Sequence, residues 1–225
     1  QTFSSAPARK GATKDNPVAI AYMKKLAGHG WARAVTLQRT DPPVHTSYRQ
    51  VLNRIFTPGK VKEFTPHIDE IVHELIDAFI GRGECEFVSE MALPMPGIFI
   101  AEQIGLPRSE YKKFRRWAEA MLCLAQRPFM SMDEAMAEAD IELVAQHFIA
   151  DEIEKRRGNP TGDLMSLIAN AEVDGQQFTM NELQDLMHQL VTGGFDTTTG
   201  GLASGMRVLA EHPDQPDRKS TRLNS

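Results

Sequence analysis

The sequence contains few cysteine and aromatic residues, and it lacks long apolar runs. Only Cys85 and Cys123 are cysteines among 225 residues, and aromatic residues make up 7%. Two isolated cysteines exclude a disulfide framework and a cysteine-based zinc centre. No apolar run approaches the roughly 20 residues that a membrane-spanning helix needs. The expectation is therefore a cytoplasmic protein that does not enter a membrane.

The charge is mildly acidic, with a net charge of −5 and a pI of about 5.8. This balance argues against a general binder of nucleic acid or of anionic membranes. The seven histidines lack the i, i+4 pairing of a helical metal site, so they are interpreted as surface or packing residues. This interpretation as surface or packing residues applies in particular to His67, His73, His147 and His188. No initiating methionine or signal peptide is present, so the chain is expected to begin inside a longer protein.

Hydrophobic periodicity predicts a mainly α protein, because no β alternation of any length and no repeat are present. A first helix is predicted from Asn16-Pro17 to Gly28, a second from Asp41-Pro42-Pro43, and a third after Thr57-Pro58-Gly59. Further helices are predicted at residues 86–105, 109–126, 132–157 and 163–171. Prolines 94 and 96 should kink or split the first of these.

The rest of the chain is organised around one long predicted helix at about residues 180–211. A capping box formed by Thr179 and Glu182 begins it, and His212-Pro213 ends it. A straight helix of this length would measure roughly 48 Å. It is therefore long enough to cross a domain.

The middle of this helix lacks large apolar side chains. The buried stripe should continue through residues 194, 197, 198 and 201, but only glycine and threonine stand there. Each helical glycine costs about 1 kcal/mol relative to alanine. Two interpretations remain open: another group fills the space, or the small residues admit a closely crossing helix.

Two polar residues beside the glycines could perform chemistry. The Thr197 hydroxyl can donate to the Gly193 carbonyl four residues earlier, and Asp196 adds a carboxylate. An acid and an alcohol that face a gap can carry protons to a bound species. If the small residues only admit a helix, the threonines merely pack.

His45 and Arg49 are four residues apart, so both should project from one side of the second helix. Such a pair of side chains often lies simply on the solvent-exposed face of a helix, without a further role. The alternative is that both hold carboxylates, for which histidine and arginine offer directed donors.

The order of these motifs resembles that of a bacterial, soluble cytochrome P450, a haem-thiolate monooxygenase. The resemblance spans about residues 2–215. It rests on Asp41 to Arg49, Phe56-Thr57-Pro58, Gly193 to Thr198, and Glu211 to Gln215, in this order and at this spacing.

The resemblance implies roles for individual residues. His45 and Arg49 match positions that hold a haem propionate. Gly193, Gly194 and Thr198 match the surface that the long helix presents to the distal face of haem b. Asp196 and Thr197 match the acid and alcohol that deliver protons to oxygen bound at the haem iron.

Two family motifs are absent from the sequence. These are the Glu-x-x-Arg pair and the Phe-x-x-Gly-x-x-x-Cys-x-Gly loop that carries the axial thiolate. Neither Cys85 nor Cys123 matches that position, so no metal ligand is assigned. Residues 1–215 are therefore interpreted as a partial P450 domain and residues 216–225 as a non-native tail, and these 225 residues alone should be inactive.

For the parent enzyme, the resemblance implies insertion of one oxygen atom from O2 into a small hydrophobic substrate. Electrons would come from NAD(P)H through a ferredoxin or a similar donor. A cluster of basic residues could bind an acidic electron donor, or it could be an ordinary solvent-exposed helix end. The cluster consists of Arg49, Arg54, Lys60 and Lys62. Two rival hypotheses remain, an all-α binding or scaffold module and a degenerate haem-binding member of the family.

Overall fold

A computed structural model describes residues 16–127, 129–173 and 175–213. The helices among these residues are α1 (Pro17–His29), α2 (Val44–Ile55), α3 (Pro58–Ile80), α4 (Pro94–Gln103), α5 (Tyr111–Gln126), α6 (Met132–Arg156), α7 (Leu164–Ala169) and α8 (Met180–Glu211). A two-stranded antiparallel ribbon, β1 (Glu172–Val173) and β2 (Gln176–Gln177), lies before α8. The prediction of a mainly α fold is confirmed. Predictions on residues 1–14, Asp174, Asp214, Gln215 and residues 216–225 lie outside the described residues.

Local capping explains where several helices begin. The Asn16 carboxamide oxygen accepts from the Val18 amide at 2.9 Å, and Pro17 occupies the first helical turn of α1. Thr179 and Glu182 form the predicted capping box of α8. Because each cap satisfies backbone groups that the helix leaves open, these boundaries could be predicted from adjacent residues.

The predicted helix at residues 86–105 is split, as its prolines suggested. A π-helical turn covers Val88–Ala92, and the Leu93 amide donates to the Val88 carbonyl at 2.8 Å. Pro94 then starts α4, because a proline without an N–H is tolerated in a first helical turn.

The core is centred on the first half of α8. This half packs against α4, α5 and α6 and buries Leu183, Leu186, Met187 and Val191. One turn further on, Phe195 meets Phe114 of α5 edge to face, with ring centroids 5.7 Å apart. Burial of this apolar surface fixes the orientation of α8, and with it the directions of the polar residues on the helix.

Over the described ranges, no helix combines the length and the apolar character needed to cross a membrane.

Candidate functional site

A buried polar cluster holds the segment between α1 and α2 against α8. The Asp185 side chain is fully buried, and it accepts from Thr36 at 2.5 Å and from the Arg39 guanidinium. Gln189 donates to Asp185 at 2.8 Å and to the Thr36 hydroxyl at 2.6 Å. A buried carboxylate needs such partners, so these bonds determine the path of the segment. No local sequence pattern predicts this cluster, because Thr36 and Asp185 are 149 positions apart.

A cavity of about 490 Å³ lies beside the glycines of α8. Its wall is mostly apolar and is formed by Gln38, Phe56, Val61, Phe64, Ile68, Phe99, Ile100, Leu164, Gln189, Leu190, Gly193 and Gly194. The two glycines differ. A Cβ on Gly194 would lie 2.9 Å from Ile100 Cδ1, whereas a Cβ on Gly193 would meet nothing within 4 Å. Gly194 therefore permits close approach of α4, while Gly193 leaves open space.

The acid and alcohol lie on α8 directly after these glycines. The Thr197 hydroxyl donates to the Gly193 carbonyl, as the spacing predicted. Asp196 is exposed, and its Oδ1 accepts from Nε2 of Gln126 at 3.3 Å. Thr198 is exposed as well. The helix remains continuous through this region.

His45 and Arg49 lie on α2 and are not among the residues that line this cavity. His45 is half-buried and Arg49 is exposed. Over the described part of the chain, neither side chain makes a hydrogen bond or an ion pair. Between them, the Tyr48 hydroxyl donates to Glu182 at 2.8 Å and so ties α2 to the start of α8.

Neither cysteine lines this cavity. Cys85 is exposed in the segment after α3, and Cys123 is buried in α5. Burial raises the pKa of the Cys123 thiol, which disfavours the thiolate. No cluster of histidine, cysteine and acidic residues suited to a metal is present in the three described ranges.

The arrangement is that of a mainly α protein in which one long helix places two glycines at an apolar cavity and carries an exposed acid and an exposed alcohol in the next turn. The family model for cytochrome P450 matches residues 111–218. A steroid C26-monooxygenase of Mycolicibacterium smegmatis is 33% identical over 179 residues, covering 79% of this chain and 44% of the relative. The cyclomarin C epoxidase CymV of Salinispora arenicola is 33% identical over 192 residues, covering 85% and 49%.

Solved structures agree with this match. Cytochrome P450 CYP109Q5 from Chondromyces apiculatus has a TM-score of 0.70 at 30% identity, over 85% of this chain and 46% of that one. The chain belongs to the cytochrome P450 family. It spans less than half the length of the curated relatives that it matches.

Proposed function

We propose that the whole protein is a haem-dependent monooxygenase that inserts one oxygen atom of O2 into a small hydrophobic substrate. The observation that carries this proposal is the position of Asp196 and Thr197 on α8, directly after the open glycine surface at Gly193. Two relatives whose names are those of an epoxidase and a monooxygenase support it.

The residues present fit the haem that membership of the family implies. The cavity at Gly193 is mostly apolar, and the glycine offers a surface without a side chain, against which a flat apolar macrocycle can lie. Gly193, Gly194 and Thr198 would face that macrocycle. His45 and Arg49 would hold its propionate groups through directed donors. When bound, the haem supplies the activation of O2.

Asp196 and Thr197 would supply protons. The Thr197 hydrogen is occupied by the Gly193 carbonyl, so the lone pairs of its oxygen remain available to accept a hydrogen bond. The exposed Asp196 carboxylate can take a proton from water and pass it on along α8. The reaction consumes RH, O2, two electrons and two protons, and it yields ROH and water. Both protons must reach the site from solvent.

Electrons for this reaction would come from NAD(P)H through a ferredoxin or a similar carrier, in the cytoplasm. Four cations near the junction of α2 and α3 favour an acidic carrier: Arg49, Arg54, Lys60 and Lys62. Lys60 also pairs with Glu63 at 2.9 Å, which lowers its contribution to such a surface.

Replacement of Thr197 tests the proposal in the whole enzyme. In Thr197→Ala, the product formed per O2 consumed should fall by about 10-fold or more, with H2O2 accounting for the difference. Thr197→Ser keeps the hydroxyl and should restore most of the yield. Ser204→Ala, on the same helix, serves as the control. An unchanged yield in Thr197→Ala would show that this threonine only packs.

A further inference from the structure

A second cavity, of about 310 Å³, lies between α2 and the ribbon that precedes α8. Four residues of α2 and three of the ribbon and its turn line it. Its volume is at the lower end of the range for ligand pockets, about 300–1,000 Å³. None of its lining residues also lines the cavity beside Gly193. It is therefore a separate site, of a size that suits a small molecule.

This cavity has an apolar base and a polar rim. Its residues on α2 are spaced by three and four positions and so share one side of the helix: Ser47, Gln50, Val51 and Arg54. Val51 is buried in the main core, and Val173 of β1 packs against that core. Gln50, Arg54 and Glu172, by contrast, are exposed. The two valines thus form the base, and the polar side chains surround it.

Tyr48 of α2 holds the two walls of the cavity together. Its ring stacks on that of Phe178, with centroids 5.7 Å apart and an angle of 4° between the planes. Its hydroxyl donates to Glu182 at 2.8 Å. Phe178 follows the ribbon directly, since β2 ends at Gln177. The cavity is therefore formed before a ligand binds, which lowers the entropic cost of binding.

The rim carries two opposite charges that the fold leaves unpaired. Neither Arg54 nor Glu172 makes a hydrogen bond or an ion pair with a residue that the structure describes. Most other arginines in the described ranges are paired with carboxylates, as Arg39 is with Asp185. The charges of Arg54 and Glu172 are therefore available to a ligand.

The two charges and the apolar base restrict the chemical class of that ligand. The guanidinium of Arg54 offers paired N–H donors that match a carboxylate. The carboxylate of Glu172 accepts hydrogen bonds from an ammonium group. A ligand with only one charge leaves the opposite charge of the rim unmatched, and an aliphatic group suits the two valines. A free amino acid with an aliphatic side chain combines all three features.

We propose that this cavity binds a free aliphatic amino acid. The ligand carboxylate lies on Arg54, its ammonium group on Glu172, and its side chain against Val51 and Val173. This binding is a property of the chain beyond the proposed oxygenation and does not rest on it. Because both charges are on an exposed rim, where water and salt screen them, the dissociation constant should be on the order of 1 mM.

Calorimetric titration of the whole protein with three matched ligands tests this inference. L-Leucine carries both charges, isocaproate lacks its ammonium group, and isoamylamine lacks its carboxylate. Leucine should bind about 3- to 10-fold more tightly than either analogue. Leucine should also shift the backbone amide resonances of Val51, Val173 and Gly175 with the same dissociation constant, which reports the position of the ligand.

Two variants separate the two charged contacts. Arg54→Gln should lower the affinity for leucine to about that of isoamylamine and should not weaken the binding of isoamylamine. Glu172→Gln should lower it to about that of isocaproate and should not weaken the binding of isocaproate. Both variants should fold, because the two side chains are exposed and make no described bond. Arg207→Gln, which removes an exposed charge outside the cavity, is the control and should leave the affinity for leucine unchanged.

Three results would each overturn the inference: no binding of leucine, equal affinities for leucine and its two analogues, or full affinity for leucine in both cavity variants. The comparison of ligands on the unmodified protein needs no variant to fold. Since the titration involves neither turnover nor electron transfer, its failure would leave the monooxygenase proposal to its own test.

Discussion

Nε2 of Gln126, the last residue of α5, donates a hydrogen bond to Oδ1 of Asp196 on α8 across 3.3 Å. The two residues are 70 positions apart in the chain. The bond gives the exposed carboxylate a partner from a second helix. It also joins the end of α5 to the residues proposed to carry protons.

Gln126→Leu should slow turnover more than it destabilises the fold. The loss of one exposed hydrogen bond should change the free energy of unfolding by less than about 1 kcal/mol. Turnover should fall about 3- to 10-fold, because the Asp196 carboxylate is then no longer held in the orientation that its bond to Gln126 imposes. Turnover in H2O and D2O is the measurement, since slower proton delivery raises the solvent isotope effect. Gln177→Leu, on the exposed ribbon, is the control. An unchanged isotope effect in Gln126→Leu would contradict a positioning role.

Sequence patterns predicted the features that depend on neighbouring residues. The cap at Asn16, the capping box of Thr179 and Glu182, and the bond from Thr197 to Gly193 all join residues at most four positions apart. Motif order also identified the family. The functional roles assigned to the site residues stay predictions.

Long-range contacts could not be predicted in the same way. The stretch from Trp31 to Arg39 has no clear period, since its course depends on Asp185, which lies 149 positions beyond Thr36. The contact of Gln126 with Asp196 likewise arises from the packing of α5 on α8. It leaves no signal in local sequence.

Asp185→Ala should be strongly destabilising, because it leaves Thr36, Arg39 and Gln189 without their shared acceptor. Loss of one partner of a buried pair typically costs about 3–5 kcal/mol. Arg39 can turn toward water, since its side chain is 37% exposed, so a loss of about 2–4 kcal/mol is expected. Urea unfolding at neutral pH measures this loss.

Asp140→Ala provides the comparison for that variant. Asp140 pairs with Lys25 at 2.6 Å, but its side chain is 65% exposed. Its replacement should cost less than about 1 kcal/mol. Equal losses of unfolding free energy in the two variants would show that Asp185 does not anchor the segment between α1 and α2.

Stability should fall in acid partly through Glu138. Burial alone would raise the pKa of Glu138, but hydrogen bonds from Arg116 and Arg127 outweigh it and hold the pKa below its usual value of about 4.5. As pH falls, Glu138 therefore binds a proton in the unfolded chain at a higher pH than it does in the folded chain. The stabilisation that ionised Glu138 contributes is fully present above the pKa of this residue in the unfolded chain. It is lost as pH falls through the lower pKa that Glu138 has in the folded chain.

Unfolding free energies between pH 3 and pH 7 should show this loss in the unmodified chain. Glu138→Gln should be less stable at neutral pH and should lose less stability on acidification, because its amide does not titrate. If the unfolding free energies of the two proteins changed in parallel with pH, Glu138 would not be a source of the loss of stability in acid.

The most direct test of the central claim, that α8 presents an open surface to haem at Gly193, is a haem titration of the whole enzyme with Gly193→Leu. Leucine is the better helix former, so the free energy of unfolding should rise by up to about 1 kcal/mol while haem affinity falls at least about 10-fold. Gly201→Leu, at another glycine with open space on the same helix, should stabilise similarly and leave haem affinity unchanged. Unchanged haem affinity in Gly193→Leu would contradict the account and would leave the glycine with no role at the cofactor.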